Sequence, residues 1–204
     1  MPRSYTGNDV IDLREPLRRE RFDGNGRDGR PDSDWLARHL GPRELERFPK
    51  DGDGFRAFWR IFAAKEAAWK ALAQAGVRVP DGAYRLLEFD AGLEEMVCLP
   101  TGDRLRVEFA VDDAEKLHCV ASLTAGPAVV RRGMSQLGSG ADASAAARES
   151  LIDQLVRERG GAAASFAVGE RDGFPRILER GRWKDWSVSL SHAGRFVALS
   201  YIAD

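Results

Sequence analysis

The sequence predicts an α+β protein made of two related α+β halves packed as a pseudo-dimer. Three observations carry this. Short strand-like runs are interrupted by two long helical stretches, which excludes an all-helical or all-strand chain. The stretch RVEFAVDDAEKLHCVASLTA (106–125) resembles the end of the chain, WSVSLSHAGRFVALSYIA (186–203), each reading as strand, polar turn, strand. Between them, residues 126–147 lose their aromatics and fill with Gly, Ala and Ser, as a connection would. The expected division is a first half at 1–126, a linker at 127–141 and a second half at 142–204.

In chain order, residues 3–11 read as a strand, and 21–31, rich in Gly, Asp and Arg, as a loop. Two short helices follow, Ser33 to His39 and one opening at Pro42, where a missing N–H is tolerated in the first turn. The clearest helix runs from Gly54 to Ala75 and stops at Gly76. Phe55, Phe58, Phe62 and Trp69 recur at helical spacing and its alanines raise propensity. YRLLEFD, EEMVCLP, LRVEFAV and LHCVASL read as strands, the last two joined as a hairpin through DDAEK. A helix from Ala143 to Arg159 ends at Gly160-Gly161, and ASFAV, PRILE, WSVSL and RFVALSYIA complete the strands.

A net charge of −1 gives no general attraction to nucleic acid or to an anionic membrane. There is no signal-like apolar start and no long apolar run, so the expected location is cytoplasmic. Cys98 and Cys119 sit in apolar strands without metal spacing, as small buried hydrophobes in a reducing compartment.

Three segments carry candidate chemistry. In GNDVIDL (7–13), the glycine leaves room for a ligand to approach the backbone and Asp9 offers a hard oxygen to Mg²⁺. Taken alone, such a segment is more often a polar strand end turning into a loop. In FAAKEAAWK (62–70), Glu66 and Lys70 are four apart on one helix face, with small alanines beside them. Most such pairs are solvated ion pairs worth ~0.3–0.5 kcal/mol. In SLSHAGR (189–195), His192 stands where an apolar strand meets a tight turn and can meet a phosphate, although a lone histidine is more often structural. His39 and His118 have no such context.

Together, GNDVIDL, FAAKEAAWK and SLSHAGRFV resemble the signature blocks of the 4'-phosphopantetheinyl transferase superfamily: a G-x-D strand end, a K-E-A/S-x-x-K helix and an S-H turn. PRELERF before the long helix, and ARESLIDQLVR followed by GFPRI, resemble further segments of its larger, Sfp-like members. The resemblance implies the 4'-phosphopantetheinyl transferase fold and transfer of the phosphopantetheine arm of coenzyme A to a serine of an apo acyl or peptidyl carrier protein, with release of 3',5'-ADP. It implies Mg²⁺ on Asp9 and Glu66, phosphate neutralisation by Lys70 and Lys65, and coenzyme A contacts from Arg157, Ser191 and His192. Glu66 or a metal-bound water would take the serine proton.

Three departures from the Sfp-like pattern are visible. The half with the S-H turn comes last, as if permuted, and the block order matches the short holo-acyl-carrier-protein-synthase type. The second acid of the G-x-D block is replaced by Ile11; Asp12 follows it and by strand alternation shares a side with Val10, so it is a poor metal ligand. Phe174 stands where G-x-P carries a basic residue, leaving Arg176 as the nearest substitute for coenzyme A binding. With both halves in one chain, a monomer is expected. The alternatives are a non-catalytic relative that binds coenzyme A or a carrier protein, and a plain α+β interaction module.

Overall fold

A computed structural model describes residues 4–15, 33–49, 54–80, 83–89, 94–124, 126 and 128–203. The loop expected at 21–31 lies outside the described residues. The protein is an α+β fold of three antiparallel sheets. The first has the order β1-β5-β4-β3-β2, from β1 (Tyr5–Asp12), β2 (Leu87–Phe89), β3 (Glu95–Cys98), β4 (Arg104–Asp112) and β5 (Lys116–Leu123). The second is β10-β11-β6, from β6 (Val130–Gln136), β10 (Ser187–Ala193) and β11 (Phe196–Ile202). The third, β7-β8-β9, is a small sheet of β7 (Phe166–Arg171), β8 (Phe174–Glu179) and β9 (Arg182–Trp183).

The helices are α1 (Ser33–His39), α2 (Pro42–Arg47), α3 (Gly54–Gln74) and α4 (Ala143–Arg159). Helix α3 lays Phe58, Ala64, Ala68 and Leu72 on Ile11, Leu105, Leu117 and Cys119 of the first sheet. Helix α4 is capped by Asp142, whose side chain accepts from the Ser144 and Ala145 amides, and packs Leu151 and Leu155 against Ile177, Val188 and Leu199. Both cysteines are fully buried with free thiols.

The segment read as a linker carries strand β6, paired antiparallel to β11 with Gly133 opposite Leu199. Its polar, half-exposed face hides it from pattern reading, because it is a sheet edge. With β6 included, the second unit repeats the first: strand, helix, strands, closing hairpin. Strand β1 leads to α3 and ends in β4–β5; β6 leads to α4 and ends in β10–β11. The likeness extends to single contacts. Gln74 Nε2 donates to the Thr6 carbonyl at 2.8 Å, just before Gly7, and Gln154 Nε2 donates to the Arg132 carbonyl at 3.2 Å, just before Gly133.

The seam between the units lies along the free edge of β1. An open edge strand exposes unpaired N–H and C=O groups. Here the Thr6 and Asn8 amides donate to the hydroxyls of Ser187 and Ser189 on β10, at 2.8 and 3.0 Å. Their carbonyls accept from Gln74 and Lys70 of α3, at 2.8 and 3.0 Å. Val10, Ala193, Phe196, Ala198 and Met134 form an apolar cluster across the same seam.

Candidate active site on β1 and α3

Strand alternation sorts β1 into two faces. Gly7, Asp9 and Ile11 face α3, while Thr6, Asn8, Val10 and Asp12 face the second unit. Gly7 serves the helix rather than a ligand. A Cβ there would lie 2.0 Å from the Ala67 carbonyl oxygen and 2.7 Å from the Ala71 nitrogen. The alanines of FAAKEAAWK complete this close approach, and the approach delivers Lys70 to Asp9.

Lys70 Nζ stands 3.0 Å from Asp9 Oδ1 and donates to the Asn8 carbonyl at 3.0 Å. Both side chains are partly exposed, 25% for Lys70 and 13% for Asp9, so the pair borders solvent. Glu66 lies one turn before Lys70, and its Oε1 accepts from the hydroxyl of Tyr84, which stacks on His39 with ring centroids 5.8 Å apart. One turn after Lys70, Gln74 Oε1 accepts from Arg176 Nη1 of the second unit at 3.0 Å, and Arg176 also donates to the Trp186 carbonyl at 3.1 Å. Asp9, Glu66 and Lys70 therefore share the β1–α3 face, and Arg176 reaches it across the seam.

The other predicted residues are placed differently. Lys65 is fully buried; its Nζ donates to the His39 carbonyl at 2.9 Å and pairs with Glu44. Glu44 also accepts from the Gly41 amide at 2.8 Å and the Phe89 amide at 3.2 Å. Burial lowers the Lys65 pKa, against the opposing pull of Glu44. The pair ties α3 to the α1–α2 turn and β2, a packing role that does not fit the expected phosphate contact. Ser191 is buried and donates to Asn8 Oδ1 at 2.6 Å, so it too is engaged within the protein. His192 is exposed and, by alternation, on the opposite side of β10 from Ser189 and Ser191. Arg157 is exposed in the last turn of α4.

Sequence reasoning missed Tyr84, Gln74 and a basic group around Trp186. The Arg159 guanidinium lies 4.7 Å from that ring centroid and Lys184 Nζ 5.9 Å from it. An adjoining cavity of about 320 Å³ is lined by Arg171, Arg176, Trp183 and Lys184, with Asp172 and Asp185. The alternating serines of SVSLS, 187, 189 and 191, were the available signal for the seam. No group of three or more metal-ligating side chains occurs among the described residues, and no helix there is long and apolar enough to cross a membrane.

No curated protein matches the chain. Among solved structures, the holo-[acyl-carrier-protein] synthase of Thermotoga maritima is similar to it at 16% identity, over 88% of this chain and 84% of that one, with a TM-score of 0.39. The family model of the 4'-phosphopantetheinyl transferase superfamily matches residues 7–121, more than half of the chain, from the glycine under α3 through Asp9, Glu66 and Lys70 to strand β5. On that match, the chain belongs to the 4'-phosphopantetheinyl transferase superfamily.

Proposed function

We propose that the protein transfers the 4'-phosphopantetheine arm of coenzyme A to a serine of an apo acyl or peptidyl carrier protein. The carrying observation is the Asp9–Lys70 pair on β1 and α3, with Glu66 one turn away and Arg176 arriving from the second unit one turn beyond. The family match covers all the first-unit residues of this set.

In the transfer, the serine oxygen forms a bond to the β-phosphorus of coenzyme A and the bond from that phosphorus to the oxygen of 3',5'-ADP breaks. Charge spreads over the phosphate oxygens, so positioned cations do most of the work. Lys70 supplies one such charge, and Arg176 supplies another from across the seam. Glu66 would accept the serine proton, directly or through a water.

The donor set fits Mg²⁺. Asp9 and Glu66, two hard carboxylates on one partly solvated face, would hold it, since two protein carboxylates with substrate and water oxygens suit an ion that keeps much of its hydration. When bound, the ion would polarise the pyrophosphate and offset its charge. Arg176, with Arg157 exposed in the last turn of α4, is a proposed contact for the phosphoadenosine end, and His192, exposed at the Asp12 end of the seam, is proposed as a separate phosphate contact. Lys65 and Ser191 support the site from within the packing rather than touching substrate.

The test is incubation with Mg²⁺, a fluorescent coenzyme A and a panel of apo carrier proteins, read as label on a gel. The wild type should label at least one carrier. Asp9→Asn and Glu66→Gln should remain folded and lose transfer by several orders of magnitude. Asp9→Asn with full activity would remove Asp9 from the site.

A further inference from the structure

Asp12 follows Ile11, which stands where the Sfp-like pattern has a second acid, and its surroundings give it a different task. Its side chain is 3% exposed on the seam face of β1. Oδ2 accepts from Arg195 Nε at 2.9 Å and from the Arg195 amide at 3.2 Å. Oδ1 accepts from Arg195 Nη2 at 3.0 Å and from the Arg14 amide at 3.0 Å. Four donors fill the roughly four lone-pair positions of a carboxylate, which leaves none for a metal.

The turn at 194 is pressed onto the same carboxylate. Gly194 has φ +51, and a Cβ there would lie 2.6 Å from Asp12 Oδ2. Burial alone would raise the Asp12 pKa, but the hydrogen bonds and charge of Arg195, with the Arg14 amide, outweigh it and lower it. The carboxylate is therefore ionised wherever the enzyme would work, and the forked pair is a charged, directional contact.

We infer that Asp12 and Arg195 form a clamp that sets the register between the two units and fixes the turn carrying His192 against the end of β1. Asp12 is thus a positioning residue for coenzyme A binding, on the opposite face of β1 from Asp9. The seam is fastened at both ends: here by the clamp, and at the other by Gln74, Ser187 and Arg176. The role in substrate binding rests on the function proposed above; the role in fixing the turn does not.

The experiment compares the wild type with Asp12→Asn, Arg195→Gln and Arg195→Lys. It records KM for coenzyme A, kcat, the Mg²⁺ concentration for half-activation, and amide hydrogen exchange across 188–198. Loss of the clamp should raise KM for coenzyme A by roughly tenfold or more, the scale of a charge-assisted hydrogen bond, with half-activation by Mg²⁺ unchanged. Exchange at 191–195 should speed up while that of 66–74 stays as in the wild type, and Arg195→Lys should recover part of both effects. A wild type that neither transfers nor binds coenzyme A would refute the proposed function, and exchange alone would then decide the clamp. Exchange at 191–195 unchanged in Asp12→Asn and Arg195→Gln would overturn the clamp. So would an Asp12→Asn enzyme with a tenfold higher Mg²⁺ requirement and unchanged KM for coenzyme A, which would make Asp12 a metal ligand.

Discussion

Gly7→Ala should disable the protein through packing alone. Ordinary van der Waals contact begins near 3.4 Å, and the new Cβ would stand 2.0 Å from the Ala67 carbonyl, so α3 would have to withdraw by about 1.4 Å. The obstacle is backbone and cannot rotate away. Withdrawal lengthens the 3.0 Å bond from Lys70 to the Asn8 carbonyl and the 2.8 Å bond from Gln74 to the Thr6 carbonyl. Overpacking costs about 1–3 kcal/mol, and two weakened hydrogen bonds add roughly 1 kcal/mol each. A total of ~3–5 kcal/mol is a large part of a typical domain's stability.

The functional loss should exceed the stability loss, since misplacing Lys70 by about an ångström is enough for a hundredfold effect on a positioned reaction. Urea unfolding followed by tryptophan fluorescence gives the first quantity, and transfer by the folded fraction gives the second. Gly133→Ala is the control, because the atom it meets at 2.4 Å is the end of the Gln154 side chain, which can turn aside at the expense of its bonds to Arg132 and Glu158 without moving backbone; it should cost about 1–2 kcal/mol. A Gly7→Ala protein as stable and active as the wild type would show that the glycine serves a ligand instead of the helix.

Lys65→Met should destabilise by about 3–5 kcal/mol, because it strands Glu44 as a buried charge. KM for coenzyme A in the folded protein should not change, and a stable variant with weakened coenzyme A binding would return Lys65 to the site. His118 is 1% exposed, and burial, aided by the charge of Arg132, pushes its pKa from 6.5 down to about 4. Between those values the unfolded chain binds a proton that the folded chain refuses. Stability should therefore be full above pH 6.5 and fall by roughly 3 kcal/mol towards pH 4. His118→Leu should flatten that slope in urea titrations at fixed pH, and an unchanged slope would locate it elsewhere. Light scattering should show a monomer, consistent with the exposed charges of Arg104, Arg106 and Glu108 on β4, whereas a stable trimer would contradict it.

The candidate site was legible where local pattern and chemistry coincide. Glu66 and Lys70 share a helix face, and alternation correctly set Asp12 on the side of Val10, while Asp9, expected at a strand end, lies inside β1, which continues to Asp12. The failures come from contacts between distant segments. Lys65 looked available beside Glu66, yet it lies seven residues from Phe58 and from Leu72, both fully buried, so helical spacing already put it on the core face. Its partner Glu44 is 21 residues away and no local rule finds it. Strand β6 hid because it buries no residue fully: Gly133 against Gln154 and Met134 at the seam sit on opposite faces and are only half-buried, and the residues around them are mostly polar and exposed.

The repeated frame explains why one chain would hold one site. Gly7 and Gly133, Gln74 and Gln154 occupy matching places, which fixes the correspondence of the rest by counting along β1, β6, α3 and α4. Asp9 then corresponds to Ser135, Lys70 to Ser150 and Glu66 to Ala146. The Asp9–Lys70 ion pair of the first unit is matched in the second by two hydroxyls 3.3 Å apart. The second unit keeps the strand–helix packing and gives up the carboxylates and the ammonium. Its retained work is to close the edge of β1 with serines, to bring Arg176 to Gln74, and to present His192. A second site of the proposed kind would need three charges regained, and Ser135→Asp with Ser150→Lys, leaving Ala146 without an acid, should create an ion pair and no transfer.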